Sequence, residues 1–443
     1  MKQWLRVFAP LGLGAGLWVA PLHAQTDAQL KALADENQRL QAQVDAQAKV
    51  ISALQQRMDA LEGKAGNAQP PSGNLTAAAA VPDTSAPSRL AGGSEQTIRL
   101  SAEVGLAFFY TGSDGPWSNG EFRVDDAKLF LDAAVWKNVY VHTELDPITR
   151  ETSDLNTHFG ELYADVENLS GVWGHDGLLS VKAGRFYTPY GEEYAQRGVM
   201  DDPLISHSLS DLWDMDNGLE VYGQAGDFAY AAAVQDGGLS ALKDTRTDKA
   251  VAVRLSYEVS PQLHLSVSGM RTGRLSAVGD PVTALWFGNG FFRAIGPAGT
   301  VQTYWAELAE GDTRYAWTGG HVAIDAGVVH YGDDSTAEND TRHLTYGAVE
   351  VVQTLIGSLY GAARYSQIRA PGGYPLAGQA MSGEYFFGND PATRLSRLSV
   401  GLGYQFGPPL VLKLDYSPEW GRDLNGEKRN QEDMFSTELG LRF

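Results

Sequence analysis

From residue 96 onward hydrophobic and polar positions alternate with a period of two, the pattern of β-strands that have one apolar and one polar face. The last run places Phe435, Thr437, Leu439, Leu441 and Phe443 on one face and Ser436, Glu438, Gly440 and Arg442 on the other. Ile98, Leu100, Ala102 and Val104 alternate in the same way with Arg99, Ser101 and Glu103. Sixteen such segments are legible between 97–109 and 434–443, and an extra pair inside 281–300 would make eighteen. They run to roughly nine to eleven residues, enough for a tilted strand to cross a bilayer. Their connections alternate between a few residues, near 136, 226, 259, 355 and 407, and much longer stretches at 111–121, 187–216, 272–300, 331–341 and 369–393. Alternation alone also fits a soluble β-sandwich, whose two packed sheets leave a polar face to water. Sixteen long strands without edge protection instead favour an all-β, transmembrane antiparallel β-barrel over residues 96–443.

Upstream the period changes. Leu30, Leu33, Asn37, Leu40, Val44, Gln47, Ile51, Leu54, Met58 and Leu61 are separated alternately by three and four residues, filling the core positions of almost five heptads. This predicts an α-helical coiled coil within residues 25–62. Ala48 and Val50 widen its apolar face toward three strands, so a parallel trimer is expected, with a dimer as the alternative. Residues 63–95, rich in Pro, Gly, Ser and Ala, read as a flexible linker. At the start, Lys2 and Arg6 precede the apolar run Leu11 to Ala20 and the site Leu22-His23-Ala24, so residues 1–24 read as a secretory signal too short to span a membrane.

Composition narrows the functional classes. The chain of 443 residues has no Cys, which excludes disulfides and thiolate metal sites, and 54 acidic against 34 basic residues, which argues against a nucleic-acid partner. There is no HExxH, no GxSxG and no glycine-rich nucleotide loop in context, so no enzyme, metal or cofactor is expected. Asp146, His158, Glu161 and Asp165 form one candidate metal or acid-base cluster, against the simpler reading of polar wall residues.

Selectivity is expected in the segment 186–217, FYTPYGEEYAQRGVMDDPLISHSLSDLWDMDN. It carries Glu192, Glu193, Asp201, Asp202, Asp211, Asp214 and Asp216 against Arg197. Pro189, Gly191 and Pro203 favour shaped turns, and its aromatic and aliphatic residues give it something to pack against a wall. Folded into a lumen, it would narrow the bore and favour cations. Arg99, Lys182, Arg254, Lys413 and Arg442 fall on polar strand faces and are the expected opposing wall.

GLLSVKAGRFYTPYG at 177–191, entering this loop after the fifth strand, and LGLRF at 439–443 resemble Gram-negative outer-membrane porins of the sixteen-stranded general or phosphate-selective kind. The upstream helix is similar to the periplasmic coiled coil of sucrose-type porins. The resemblance implies a homotrimer in the outer membrane, among its lipid and lipopolysaccharide, with the loop as constriction. The acidic loop departs from the basic lumen of phosphate-selective members. Expected function is therefore passive diffusion of small hydrophilic solutes or ions, with cations preferred. The alternative is an envelope tether whose periplasmic coiled coil binds peptidoglycan or a periplasmic or inner-membrane partner.

Overall fold

The computed structural model describes residues 98–443 except 114, 116, 150–156, 213–214, 238–247, 277–302, 334–341, 375, 377–385, 388–390 and 431. The signal, heptads and linker expected upstream, and the extra pair considered inside 281–300, lie outside these residues.

Sixteen staves form the barrel. They are β1 (Ile98–Thr111), β2 (Glu121–Trp136), β3 (Val139–Ile148), β4 (His158–Val166), β5 (Ser180–Tyr187) and β6 (Met215–Ala225). Next come β7 (Phe228–Gln235), β8 (Ala250–Ser260), β9 (Leu263–Arg271), β10 (Thr303–Trp317) and β11 (Gly320–Asp333). The circuit ends with β12 (Arg342–Ile356), β13 (Leu359–Tyr374), β14 (Ala392–Gly407), β15 (Leu410–Ser417) and β16 (Met434–Arg442). Leu275–Ser276 continues β9 along β10, and Glu419–Asp423 continues β15 along β14 and bends back into Lys428–Arg429.

Each stave pairs antiparallel with its sequence neighbours, and β16 closes the circuit on β1 with Glu103 opposite Arg442 and Leu106 opposite Leu439. Backbone bonds of 2.9 and 3.0 Å between Ala102 and Phe443 complete the seam. Closure leaves, among the described residues, a single layer with no second sheet to cover it, so the two faces meet different surroundings. Leu100, Leu106, Leu129, Leu131, Val251, Val400, Leu402 and Leu414 are exposed outside, whereas Glu103, Glu144, Glu350, Arg364, Lys413 and Glu438 are buried inside. That inversion of a soluble core is what a barrel in hydrocarbon requires.

Several staves exceed the expected length. In β10 the outward positions Glu307, Ala309, Gly311 and Thr313 carry almost no apolar signal, and the alternation fades near residue 310 although pairing continues to Trp317. There the neighbouring strands set the register.

Candidate functional site: the loop inside the barrel

The segment from Thr188 to Leu212 leaves β5 and turns into the bore. Gly191 takes a left-handed φ of 70°, and a Cβ there would lie 2.6 Å from Glu310, so glycine permits both the turn and the close approach to the wall. The loop has two apolar footings. Tyr190, Leu209 and Leu212 pack with Tyr331, Tyr346, Ile368, Tyr374 and Leu395, and Ile205 packs with Phe109, Trp117 and Met434.

Polar bonds tie the same loop around much of the inner wall. Tyr190 shares a 2.7 Å hydroxyl bond with Tyr346, and Gly191 N donates to Ser268 at 3.0 Å. Ile205 N and Ser206 N donate to Asp415 at 3.1 and 2.8 Å, and the Ser206 hydroxyl donates to the same oxygen at 2.6 Å. Leu209 N donates to Ser366 at 3.0 Å, and Arg397 donates to His207 O at 2.6 Å.

The anticipated acidic residues are placed individually by these contacts. Glu192 faces His264 at 3.5 Å and Arg254 at 3.9 Å. Burial would push its carboxyl up, but the His264 bond and the Arg254 charge together hold it below its ordinary range. Glu193 accepts from the Ser208 hydroxyl and lies 4.0 Å from Arg364. Burial outweighs that cation and, with Asp211 and Asp325 adding repulsion, holds Glu193 well above its usual range. Asp211 is also buried, yet Arg197 at 2.7 Å and His207 at 3.1 Å bring it down to about 2. Asp202 binds Arg364 at 2.9 Å, and Asp201 pairs with Arg442.

Not every anticipated residue joins this arrangement. Asp216 belongs to β6, where it is buried and accepts from Gly237 N at 2.6 Å. Asp214 lies outside the described residues. On the wall, Arg254 donates to Gly191 O at 3.0 Å, Lys413 to Leu204 O at 3.3 Å, and Arg442 bridges Asp201 to Glu103. Lys182 sits on β5 itself and pairs with Glu220 of β6 at 3.4 Å, so it does not oppose the loop. Arg99 is exposed at the short-turn end of β1. The strongest grips were not anticipated: Arg364 and Arg397. Their signal was the period of two, since Leu398, Val400 and Leu402 facing outward put Arg397 and Ser399 inside.

Among the described residues the metal-ligating types that converge are His142, Glu144 and Glu161, with ligand atoms within 4.8 Å of one another. Lys128 already binds Glu144 at 2.8 Å, and His142 Nδ1 meets Asp132 at 2.6 Å, so the group has the character of a paired wall network. Asp165 instead accepts from the Tyr222 hydroxyl at 2.7 Å.

A closed sixteen-stave barrel with a loop returned into its bore is the fold of the outer-membrane porins. Among solved structures the chain is similar to the outer membrane channel DcaP of Acinetobacter baumannii, at 12% identity, covering 80% of this chain and 99% of that one, with a TM-score of 0.53. It is similar to the trimer form of OmpT, an outer membrane protein of Vibrio cholerae, at 10% identity, 79% and 99% coverage and a TM-score of 0.53. Salmonella typhi OmpF in complex with daunomycin aligns at 11% identity over 79% and 98%, with a TM-score of 0.50. At these identities the likeness is one of fold. No protein-family profile matches the sequence, and no characterised protein matches it by sequence.

Proposed function

We propose that the protein is a passive, non-enzymatic diffusion channel of the outer membrane for small hydrophilic solutes or ions. The observation that carries this reading is the loop at 188–212, bonded to inward side chains of β9, β12, β13, β14 and β15 and so positioned to narrow a polar bore. Cations are the preferred ions. Asp312 accepts from the Ser266 hydroxyl at 2.9 Å, Asp325 from Ala348 N at 3.0 Å, and Glu310 from the Tyr346 hydroxyl. Among the described residues none of these three has a Lys or Arg at ion-pair distance, which supports an acidic sector of wall beside the acidic loop. A homotrimer is supported by the heptads upstream and by the trimer form of one structural relative.

The test is conductance of the full-length protein in planar bilayers under a KCl gradient. A reversal potential favouring K⁺, reduced when Glu192, Glu193, Asp201 and Asp202 are neutralised together, is expected. No conductance, or selectivity unmoved by that change, overturns the reading. The tether alternative rests on the heptads at 30–61. Deleting residues 27–62 separates the two: loss of envelope attachment with trimers intact supports tethering, and loss of trimers supports an assembly role.

A further inference from the structure

On the outer surface, at the long-loop end, four cationic side chains stand directly opposite one another on successive strands. Arg369 of β13 is in register with Arg394 of β14, Arg394 with Arg422 in the continuation of β15, and Arg422 with Lys428. Registered partners share a face, and this face is the outward one, continuing from Tyr365 and Leu398, both exposed. With strands ~4.8 Å apart, the row spans about 14 Å.

Like charges directly across a ladder repel, and a row of four without counter-charge is unfavourable. Among the described residues no carboxylate comes within ion-pair distance of any of them; Arg369 bonds only the side-chain oxygen of Gln367. Arg394 Nε is buried without an acceptor, an N–H left in need of one. Below the row, toward the apolar belt, Tyr365 and Trp420 approach with ring centroids 6.3 Å apart. Aromatic rings mark the boundary between hydrocarbon and headgroups, so cations one or two rungs beyond them stand at headgroup depth. A counter-charge at that depth is one that the membrane can supply.

We propose that Arg369, Arg394, Arg422 and Lys428 form a docking face for the phosphate-bearing headgroup of a lipid in the outer leaflet. Guanidinium forks match phosphate oxygens two at a time, and a single diphosphorylated headgroup lying along the row would relieve the repulsion and give Arg394 its acceptor. The inference rests on the barrel being embedded in the outer membrane and is independent of what passes through its bore.

The test uses full-length protein in detergent micelles, with binding of diphosphoryl lipid A measured by native mass spectrometry beside phosphatidylcholine and inorganic phosphate. Wild type is expected to retain lipid A, and R394Q/R422Q to bind it at least about tenfold more weakly, as loss of two charge-assisted contacts requires. Phosphatidylcholine binding and single-channel conductance are expected to stay unchanged. Folding is followed by heat-modifiable gel migration; if the double variant does not fold, R422Q alone carries the test, since Arg422 is exposed. Equal lipid A binding by wild type and variant overturns the proposal. So does inorganic phosphate displacing lipid A at equal concentration, which would make the face a free-phosphate site. A chain that is soluble without detergent overturns the membrane reading instead.

Discussion

Arg364 of β13 and Asp202 of the inward loop meet at 2.9 Å across 162 positions of sequence, while the same guanidinium donates through Nε to Glu350 of β12 at 2.8 Å. One side chain thus fastens the loop to two staves. All three groups are buried, so none can turn to bulk water if its partner is lost. Arg364→Met is expected to destabilise by roughly 3–5 kcal/mol, the cost of stranding buried charges. A thermal melt of the heat-modifiable band measures it. Arg197 in the released loop is expected to become cleavable by trypsin, and Arg364→Lys to fall between the two because it keeps charge but loses the fork.

Asp415 is the second fastening. Its Oδ2 accepts from Ile205 N, Ser206 N and the Ser206 hydroxyl. Asp415→Ala leaves buried donors unpaired at ~1–3 kcal/mol each. If the loop narrows the bore, single-channel recordings are expected to show larger and noisier conductance steps; steps identical to wild type would detach Asp415 from that role.

Gly327 makes room for Tyr346, its registered partner across β11 and β12. A Cβ at Gly327 would lie 2.2 Å from the tyrosine ring, whose hydroxyl links Tyr190 to Glu310. Gly327→Val is therefore expected to displace the ring and lower the melting temperature more than Tyr346→Phe, which removes the hydroxyl but keeps the packing. A smaller loss in the valine variant would show that the ring needs no such space.

Two loop acids give opposite pH signatures. Asp211 titrates at about 2, below the ordinary range, so its pairing with Arg197 and His207 contributes stability that is present above roughly pH 4 and lost as pH falls toward 2. Glu193 is held above its usual range, so it favours the folded state at low pH and loses that contribution as pH rises through its folded value. Glu193→Gln is expected to raise the melting temperature at pH 8 and to leave it unchanged at pH 4, where the native side chain is also neutral. A destabilised variant at pH 8 would mean that Arg364 dominates instead.

Strand number and facing were legible because a one-layer barrel imposes a two-residue period with little interference from tertiary packing. Phe435 and Phe443, with Ile98 and Leu100, show this, as each is exposed on the face its alternation implies. The end of β10 was not legible, because Ala309, Gly311 and Thr313 carry no contrast and their neighbours dictate the pairing. In the loop, the residues were visible but their partners were not: charge sums reveal that Asp202 is acidic, whereas only register reveals that Arg364 lies opposite it. Lys182 illustrates the converse, a residue whose correct face says nothing of which strand it answers to.

The seam between β1 and β16 makes the barrel a late event in the life of the chain. Glu103 and Arg442 are 339 positions apart, and β16 supplies the pairing edge for β15 as well as β1. Until the last nine-residue stave arrives, two rows of backbone donors and acceptors stand open, a state that hydrocarbon does not tolerate and that invites pairing with other chains. The nascent polypeptide is therefore expected to stay prone to pairing with its fellows until β16 exists, and removing β16 would act on assembly as a whole rather than on one wall.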